Sequence, residues 1–269
     1  MERVQVFGHR GASAYRPENT LEAFELAYSM DADAIECDVV PTRDHRLVLR
    51  HEADLSETTD VLRHPKFAGR HKSFQLDLNE LQELRAIERL PDWRPGSARF
   101  DGQFLVPTLE ALLASNFLTG KSVILEVKHG PLFAELGFDM VELFASVVEK
   151  SAIVERCRVI VEAFEYETLV ALRERLGARY SYIYLMENWD EAHAFEFDGI
   201  SLDFALIASR PDLVVQAHEH GQPVYGWTAR AEEAETSVEE YYHHLVATGV
   251  DGIFADHPDL LKGFVDGNA

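Results

Sequence analysis

The sequence predicts an α/β fold, a TIM-type (β/α)8 barrel with a small inserted subdomain, on three observations. Short runs rich in β-branched and apolar residues recur along the chain with helix-like stretches between them, the form that repeated βα units and a mainly parallel sheet take in sequence. Most strand-to-helix connections are short, and such an alternation closes most economically as a barrel. One irregular stretch, about residues 56–106, breaks the rhythm once, and a stretch of that length is usually functional or an inserted subdomain.

The elements follow in order. Val4–His9 reads as the first strand, a helical pattern covers Thr20–Met30, and Ala34–Val40 reads as the second strand. Leu47–His51 also has strand character, yet only residues 41–46 separate it from the strand before, whereas a parallel neighbour needs a crossover of a dozen or more residues. It is therefore an excursion from the barrel, which reduces nine strand candidates to the eight a barrel needs. The irregular stretch carries the breakers His64-Pro65, Ala68-Gly69, Arg94-Pro95-Gly96 and Asp101-Gly102, with one helix expected at Asp77–Ile87. Beyond it come strands at Ser122–Val127, Cys157–Val161, Ser181–Leu185, Gly199–Asp203, Pro223–Thr228 and Gly252–Ala255. Helical patterns lie at Leu109–Phe117, Glu142–Lys150, Tyr166–Leu176, Asp212–Glu219 and Val238–Thr248. No repeat or linker divides the chain, so a single domain over 1–269 with an insertion at about 56–106 is expected.

Composition narrows the function. With 25 Lys+Arg against 47 Asp+Glu, the 269-residue chain carries a net charge of −22, so it offers no basic face to nucleic acid or to an anionic membrane surface. Hydrophobic residues at 46% supply a full core, and 27% charged residues fit a folded globular chain. Met1–Phe7 has no basic stretch leading into a long apolar run, which reads as cytoplasmic. No apolar run reaches membrane-spanning length; Leu105–Leu118 is broken by Pro107 and Glu110. The two cysteines, Cys37 and Cys157, lie in strand-like segments and read as buried thiols.

A barrel places its active site at the carboxyl ends of the strands. Those ends read His9-Arg10-Gly11, Glu36-Cys37-Asp38, His51-Glu52, Glu126-Val127-Lys128, and later Glu162, Asp203, Trp227 and Asp256. Residues two apart on a strand project to the same side, so Glu36 with Asp38, and Glu126 with Lys128, point into the barrel mouth if Cys37 and Val127 pack outward. A single strand-end carboxylate would be read as a loop cap or an arginine partner. Three aimed into one cavity repel one another unless a cation sits among them, and hard oxygen ligands without clustered Cys or His favour Mg²⁺ or Ca²⁺. His9 and His51 suit proton transfer near neutrality as an acid/base pair, while His64, His71, His218, His220, His243, His244 and His257 read as solvated bystanders. Arg10 offers planar donors for a phosphate or carboxylate, and Gly11 lets the backbone approach a ligand.

These residues, with Pro17-Glu18-Asn19-Thr20, Thr42-Arg43-Asp44, Leu47–Glu52, Pro107-Thr108-Leu109-Glu110, Trp227-Thr228 and Asp251–Pro258, resemble in order and spacing the signature of the glycerophosphodiester phosphodiesterase family over nearly the whole chain. The resemblance implies a TIM barrel with an insertion after the second histidine. It also implies hydrolysis of a small-molecule glycerophosphodiester to an alcohol and sn-glycerol 3-phosphate with one divalent cation. Position by position, Glu36, Asp38 and Glu126 match the metal ligands, His9 and His51 the acid/base pair, Arg10 and Lys128 the phosphate contacts, and Trp227 an aromatic position lining the glycerol pocket, where a barrel-filling tryptophan is the alternative. We assign His9 as base and His51 as acid, with water or a neighbouring glycerol hydroxyl as nucleophile. The sequence departs from the family pattern at Glu52, His45 and Ala229-Arg230. Two alternatives stand beside this expectation: a lysophospholipase D-like barrel, with Phe67, Phe74, Trp93 and Phe104 supplying an apolar groove, and a phosphate-ligand binding barrel without turnover.

Overall fold

Alternation along the strands builds the architecture. In the computed structural model, which describes residues 3–267, nine strands form in sequence: β1 (Gln5–Gly8), β2 (Ala34–Pro41), β3 (Leu47–Leu49), β4 (Ser122–Val127), β5 (Arg158–Ala163), β6 (Ser181–Met186), β7 (Gly199–Asp203), β8 (Val224–Ala229) and β9 (Gly252–Ala255). The extreme ends of the expected 1–269 domain, residues 1–2 and 268–269, lie outside the described residues. All strands but β3 pair in parallel, and β1 bonds both β2 and β9, so eight strands close into a TIM barrel. β3 runs antiparallel to β2 alone, with Val39 opposite Leu49, and is the excursion that the short 41–46 connection requires.

Every second side chain of these strands faces the barrel interior. Phe7, Ala34, Ile124, Ile160, Ile183, Tyr225 and Phe254 form one buried interior cluster, with Trp227 packed on it. Their neighbours, such as Val6, Ile35, Cys37, Val39 and Leu125, face outward into the apolar layer beneath the helices, among Phe24, Ala27, Phe144 and Leu172. Cys37 and Cys157 are both buried and unbridged.

The helix Leu21–Ser29 is capped by Thr20, whose Oγ1 accepts from the Ala23 amide at 3.2 Å. The helices Met140–Ser151, Tyr166–Leu176, Asp212–Glu219 and Val238–Ala247 fall where the 3.6-residue rhythm puts them. The helix expected at Leu109–Phe117 ends at Leu113 and resumes only as a 3₁₀ turn at Asn116–Leu118. Among the described residues four helices went unanticipated: Pro95–Ala98, Gly130–Glu135 and Phe204–Ser209, too short for periodicity to register, and Pro258–Gly267. Among the described residues, no helix is long and apolar enough to cross a membrane.

Residues 56–106 form turns, short 3₁₀ pieces, two single-turn α-helices and isolated bridges across the mouth of the barrel. The helix expected at Asp77–Ile87 is a single turn, Leu78–Leu81. The amides that would have continued it are used elsewhere: Arg85 donates to Asp60 Oδ1 at 2.8 Å and Ala86 to the Phe104 carbonyl at 2.9 Å. The segment's apolar side chains Val61, Phe67, Leu76, Leu81 and Leu84 are fully buried and continuous with the core beneath the helices.

Candidate active site

Glu36, Asp38 and Glu126 meet at the carboxyl ends of β2 and β4, where Asp38 and Glu126 stand opposite one another in register. All three are buried, and each offers a carboxylate oxygen within 4.8 Å of the others'. Burial, then the charges of Asp38 and Glu126, push the Glu36 carboxyl well above its usual range. Burial opposes ionisation of Asp38 too, but the His51, Lys128 and Arg10 charges and an Asn19 hydrogen bond outweigh it and hold that carboxyl down. Glu36 Oε1 is buried with no hydrogen-bond partner, while Oε2 accepts from the Arg10 amide at 2.8 Å. Three convergent carboxylates, one oxygen left unserved, and no thiolate among them form a donor set that suits a hard divalent cation.

The Glu18-Asn19 pair explains why this loop is shaped as it is. Asn19, in a left-handed conformation with φ 55°, donates from Nδ2 to Asp38 Oδ2 at 2.8 Å and accepts the Asp38 amide at 3.2 Å, which fixes that carboxylate's orientation. Glu18 accepts from Arg10 Nη1 at 3.1 Å. Gly11 at φ +85° lies so close to the following helix that a Cβ would sit 2.6 Å from the Ala23 carbonyl carbon, so glycine is required where the chain turns back under the site. Lys128, 3% exposed, places Nζ 2.6 Å from Glu126 Oε1 and 3.4 Å from Asp38 Oδ1; burial opposes its charge, but these carboxylates raise its pKa above the usual lysine range.

Both histidines lie beside the carboxylates, each against an acidic partner. His9 Nδ1 is 2.6 Å from Asp256 Oδ1, and His51 Nδ1 is 2.5 Å from Glu52 Oε1. A carboxylate can only accept, so Nδ1–H donates in each pair and Nε2 is left free for chemistry. Burial and the Arg10 charge lower the His9 pKa to about 4 against the pull of Asp256, so its ring is neutral at pH 7.

The inserted segment supplies residues that the strand-end reading did not reach. Arg89 donates to Glu18 from Nε at 2.7 Å and to both Glu52 oxygens, at 3.0 and 2.5 Å. Arg94 donates to Asp256 Oδ2 at 2.5 Å and to Glu232 at 2.6 Å, and Arg230 reaches the same Asp256 oxygen at 3.2 Å. No local pattern marks Arg89 or Arg94, whose partners are up to 162 residues away in the chain. The expectation for His257 is corrected: its side chain is 15% exposed, edge-on to Tyr15 and 3.3 Å from Glu232, because the arginine and carboxylate layer closes over it. His218, His220, His243 and His244 are exposed as expected, and His64 and His71 half-buried. Asp203 takes the modest role of a strand-end carboxylate, capping the next helix by accepting from the Ala205 amide at 2.5 Å.

Two cavities open from the histidines. One, about 470 Å³, reaches into the barrel between Lys128, Glu162, Phe164 and Trp227. Trp227 stands edge-on to Phe164 at 5.6 Å, with its Nε1 buried and unpartnered, so it lines the cavity as well as resting on the interior cluster. The other, about 330 Å³, lies beneath the insertion between Arg89, Leu90, Trp93 and Glu232. The aromatic groove offered to a lysophospholipid reading does not assemble: Phe67 is fully buried, Phe74 packs against Phe133 and Phe138, and Phe104 stacks on Phe100. Of the four, Trp93, 63% exposed, is the one that lines this cavity.

Comparison with known proteins agrees with this geometry. The profile of the Glycerophosphoryl diester phosphodiesterase family matches residues 9–260. The chain is 30% identical to the glycerophosphodiester phosphodiesterase of Caldanaerobacter subterraneus subsp. tengcongensis, over 98% of each chain, and 26% identical to one from Bacillus subtilis, over 97% of this chain and 86% of that one. Its fold superposes with a TM-score of 0.78, at 22% identity and over 98% and 97% of the two chains, on an Oleispira antarctica phosphodiesterase solved in complex with the product sn-glycerol-3-phosphate. The chain belongs to the glycerophosphoryl diester phosphodiesterase family.

Proposed function

We propose that the protein is a glycerophosphodiester phosphodiesterase that hydrolyses small glycerophosphodiesters to an alcohol and sn-glycerol 3-phosphate, with a single catalytic domain. The observation that carries the reading is the convergence of His9 and His51 on the cavity that also receives Glu36, Glu126, Arg10 and Lys128. Glu36, Asp38 and Glu126 would hold one divalent cation, Mg²⁺ or Ca²⁺, which when bound supplies Lewis-acid stabilisation of negative charge on the phosphoryl oxygens.

The chain's own groups do the rest. Arg10 and Lys128, both nearly buried and permanently charged, meet the charge that builds on the phosphoryl oxygens as the nucleophile adds. His9, neutral at pH 7, accepts the nucleophile's proton at Nε2, and Asp256 stabilises the imidazolium that forms. His51, paired with Glu52 and facing the second cavity, delivers a proton to the departing alkoxide. Trp227 and Phe164 give one end of the substrate an apolar wall.

The test is a panel of glycerophosphocholine, glycerophosphoethanolamine, glycerophosphoglycerol and lysophosphatidylcholine with Mg²⁺ and with Ca²⁺, following glycerol 3-phosphate from the first three and choline with lysophosphatidic acid from the last. Release from the water-soluble diesters supports the reading. Turnover confined to lysophosphatidylcholine moves the protein to the lysophospholipase D-like class, and binding without turnover to a decayed barrel.

A further inference from the structure

The histidines are held by carboxylates, and the carboxylates are held by arginines from the inserted segment. We propose that Arg89 and Arg94 are positioning residues for the phosphodiesterase reaction, each fixing the carboxylate that orients one histidine, so that the insertion completes the catalytic apparatus from above. This rests on the reading of function just given and extends it to residues that touch no reacting atom.

The two arms are built alike. In one, the Arg89 guanidinium grips Glu52 with Nη1 and Nη2 and Glu18 with Nε and Nη2, a planar fork spanning two carboxylates. Glu18 is in turn held by Arg10, so the phosphate-facing arginine and His51 share one chain of charged hydrogen bonds: Arg10, Glu18, Arg89, Glu52, His51. In the other, Arg94 joins Glu232 to Asp256 and so holds the partner of His9.

The arms differ in redundancy. Asp256 is 2% exposed and keeps a second arginine, Arg230, on the oxygen that Arg94 uses. The Glu52 side chain is 39% exposed, and among the described residues it has Arg89 and His51 as its charged partners. Without Arg89 a flexible glutamate is left to find its own rotamer, and the His51 ring loses its anchor; without Arg94, Asp256 is still tethered. The Arg89 arm is therefore the more sensitive one. A lysine, with a point charge and no fork, cannot span Glu18 and Glu52 together.

The experiment compares Arg89→Met, Arg89→Lys and Arg94→Met on two substrates with Mg²⁺ present: glycerophosphoethanolamine, whose leaving alkoxide needs a proton, and glycerol 3-(4-nitrophenyl) phosphate, whose leaving phenolate does not. Misplacing a proton-transfer group costs on the order of 10²-fold. R89M is expected to lose about that in kcat on the first substrate and a few-fold at most on the second, with KM little changed. R89K should recover only part of the loss, and added guanidinium should restore part of the R89M rate. R94M should lose less, and equally on both substrates. A structural role would lower both substrates alike in every variant, and that result, or unchanged kcat in R89M and R94M, overturns the proposal. A substrate-dependent loss in R94M in place of R89M supports positioning and reverses the acid and base assignment. Inactivity of the unmodified protein on both diesters overturns the reading of function, and this inference with it.

Discussion

Two residues separate the floor of the barrel from its mouth along six of its strands. Phe7 is followed at that spacing by His9, Ala34 by Glu36, Ile124 by Glu126, Ile160 by Glu162, Tyr225 by Trp227 and Phe254 by Asp256. Both members of each pair face inward, because side chains alternate with period two. The floor buries apolar surface and asks nothing more of its neighbours. The mouth buries charges, which are costly out of water unless each has a partner. Depth along one strand thus divides stability from chemistry, and substitutions at the two levels should have separable consequences.

The largest effects belong to the mouth. Chelation with EDTA is expected to abolish diester hydrolysis, and Mg²⁺ or Ca²⁺ to restore it. The same cations should raise Tm, since a ligand at 100 times its Kd adds about 2.7 kcal/mol to a folded state that alone binds it. Full activity in the chelated protein, or a Tm indifferent to both cations, would remove the three-carboxylate site from the account. His9→Ala and His51→Ala should each lower kcat by about 10²–10⁴ while the unfolding midpoint stays within a few degrees. Loss of the fold in either variant would break the division between the two levels.

The floor should behave in the opposite way. Ile160 is 3% exposed in the interior cluster, and Ile160→Ala is expected to cost about 2–5 kcal/mol in urea unfolding, with kcat/KM within a few-fold of the parent under conditions where the protein stays folded. A large fall in kcat/KM with undiminished stability would show that the floor tunes the chemistry above it.

The period-two rhythm also explains what could be read from sequence. Runs of β-branched and apolar residues mark all nine strands, and the two-residue spacing of Glu36 with Asp38 and of Glu126 with Lys128 turns four groups inward. The crossover argument identified β3 as an excursion because chain length alone forbids a parallel return. The clamp of Arg89 and Arg94 had no such signature. Its contacts run between an irregular segment and strand ends far away in sequence, and the Asp77–Ile87 helix failed for the same reason: its amides serve partners across the insertion. Glu162 was visible as a strand-end carboxylate, but its state depends on neighbours that only the closed barrel brings together.

Glu162 gives the finest test of the floor and mouth distinction. It stands in register with Glu126, is 1% exposed, and has Oε1 buried without a partner. Burial first, then the Glu126 and Asp38 charges, push its carboxyl well above the ordinary value of 4.5, against the weaker pull of Lys128. Below about pH 4.5 the group is protonated in both folded and unfolded chains and costs nothing. Above that pH the unfolded chain ionises while the folded one retains the proton, so stability falls as pH rises until the folded pKa is passed. Glu162→Gln keeps the shape and removes the ionisation. The variant should match the parent in stability near pH 4 and exceed it increasingly as pH rises toward 7 in urea unfolding, by about 1.4 kcal/mol for each pH unit over which the unfolded chain alone is ionised. A difference that is flat with pH would mean that Glu162 ionises in the folded protein as readily as in the unfolded chain; a growing difference shows that the mouth holds it as a neutral acid at the expense of stability.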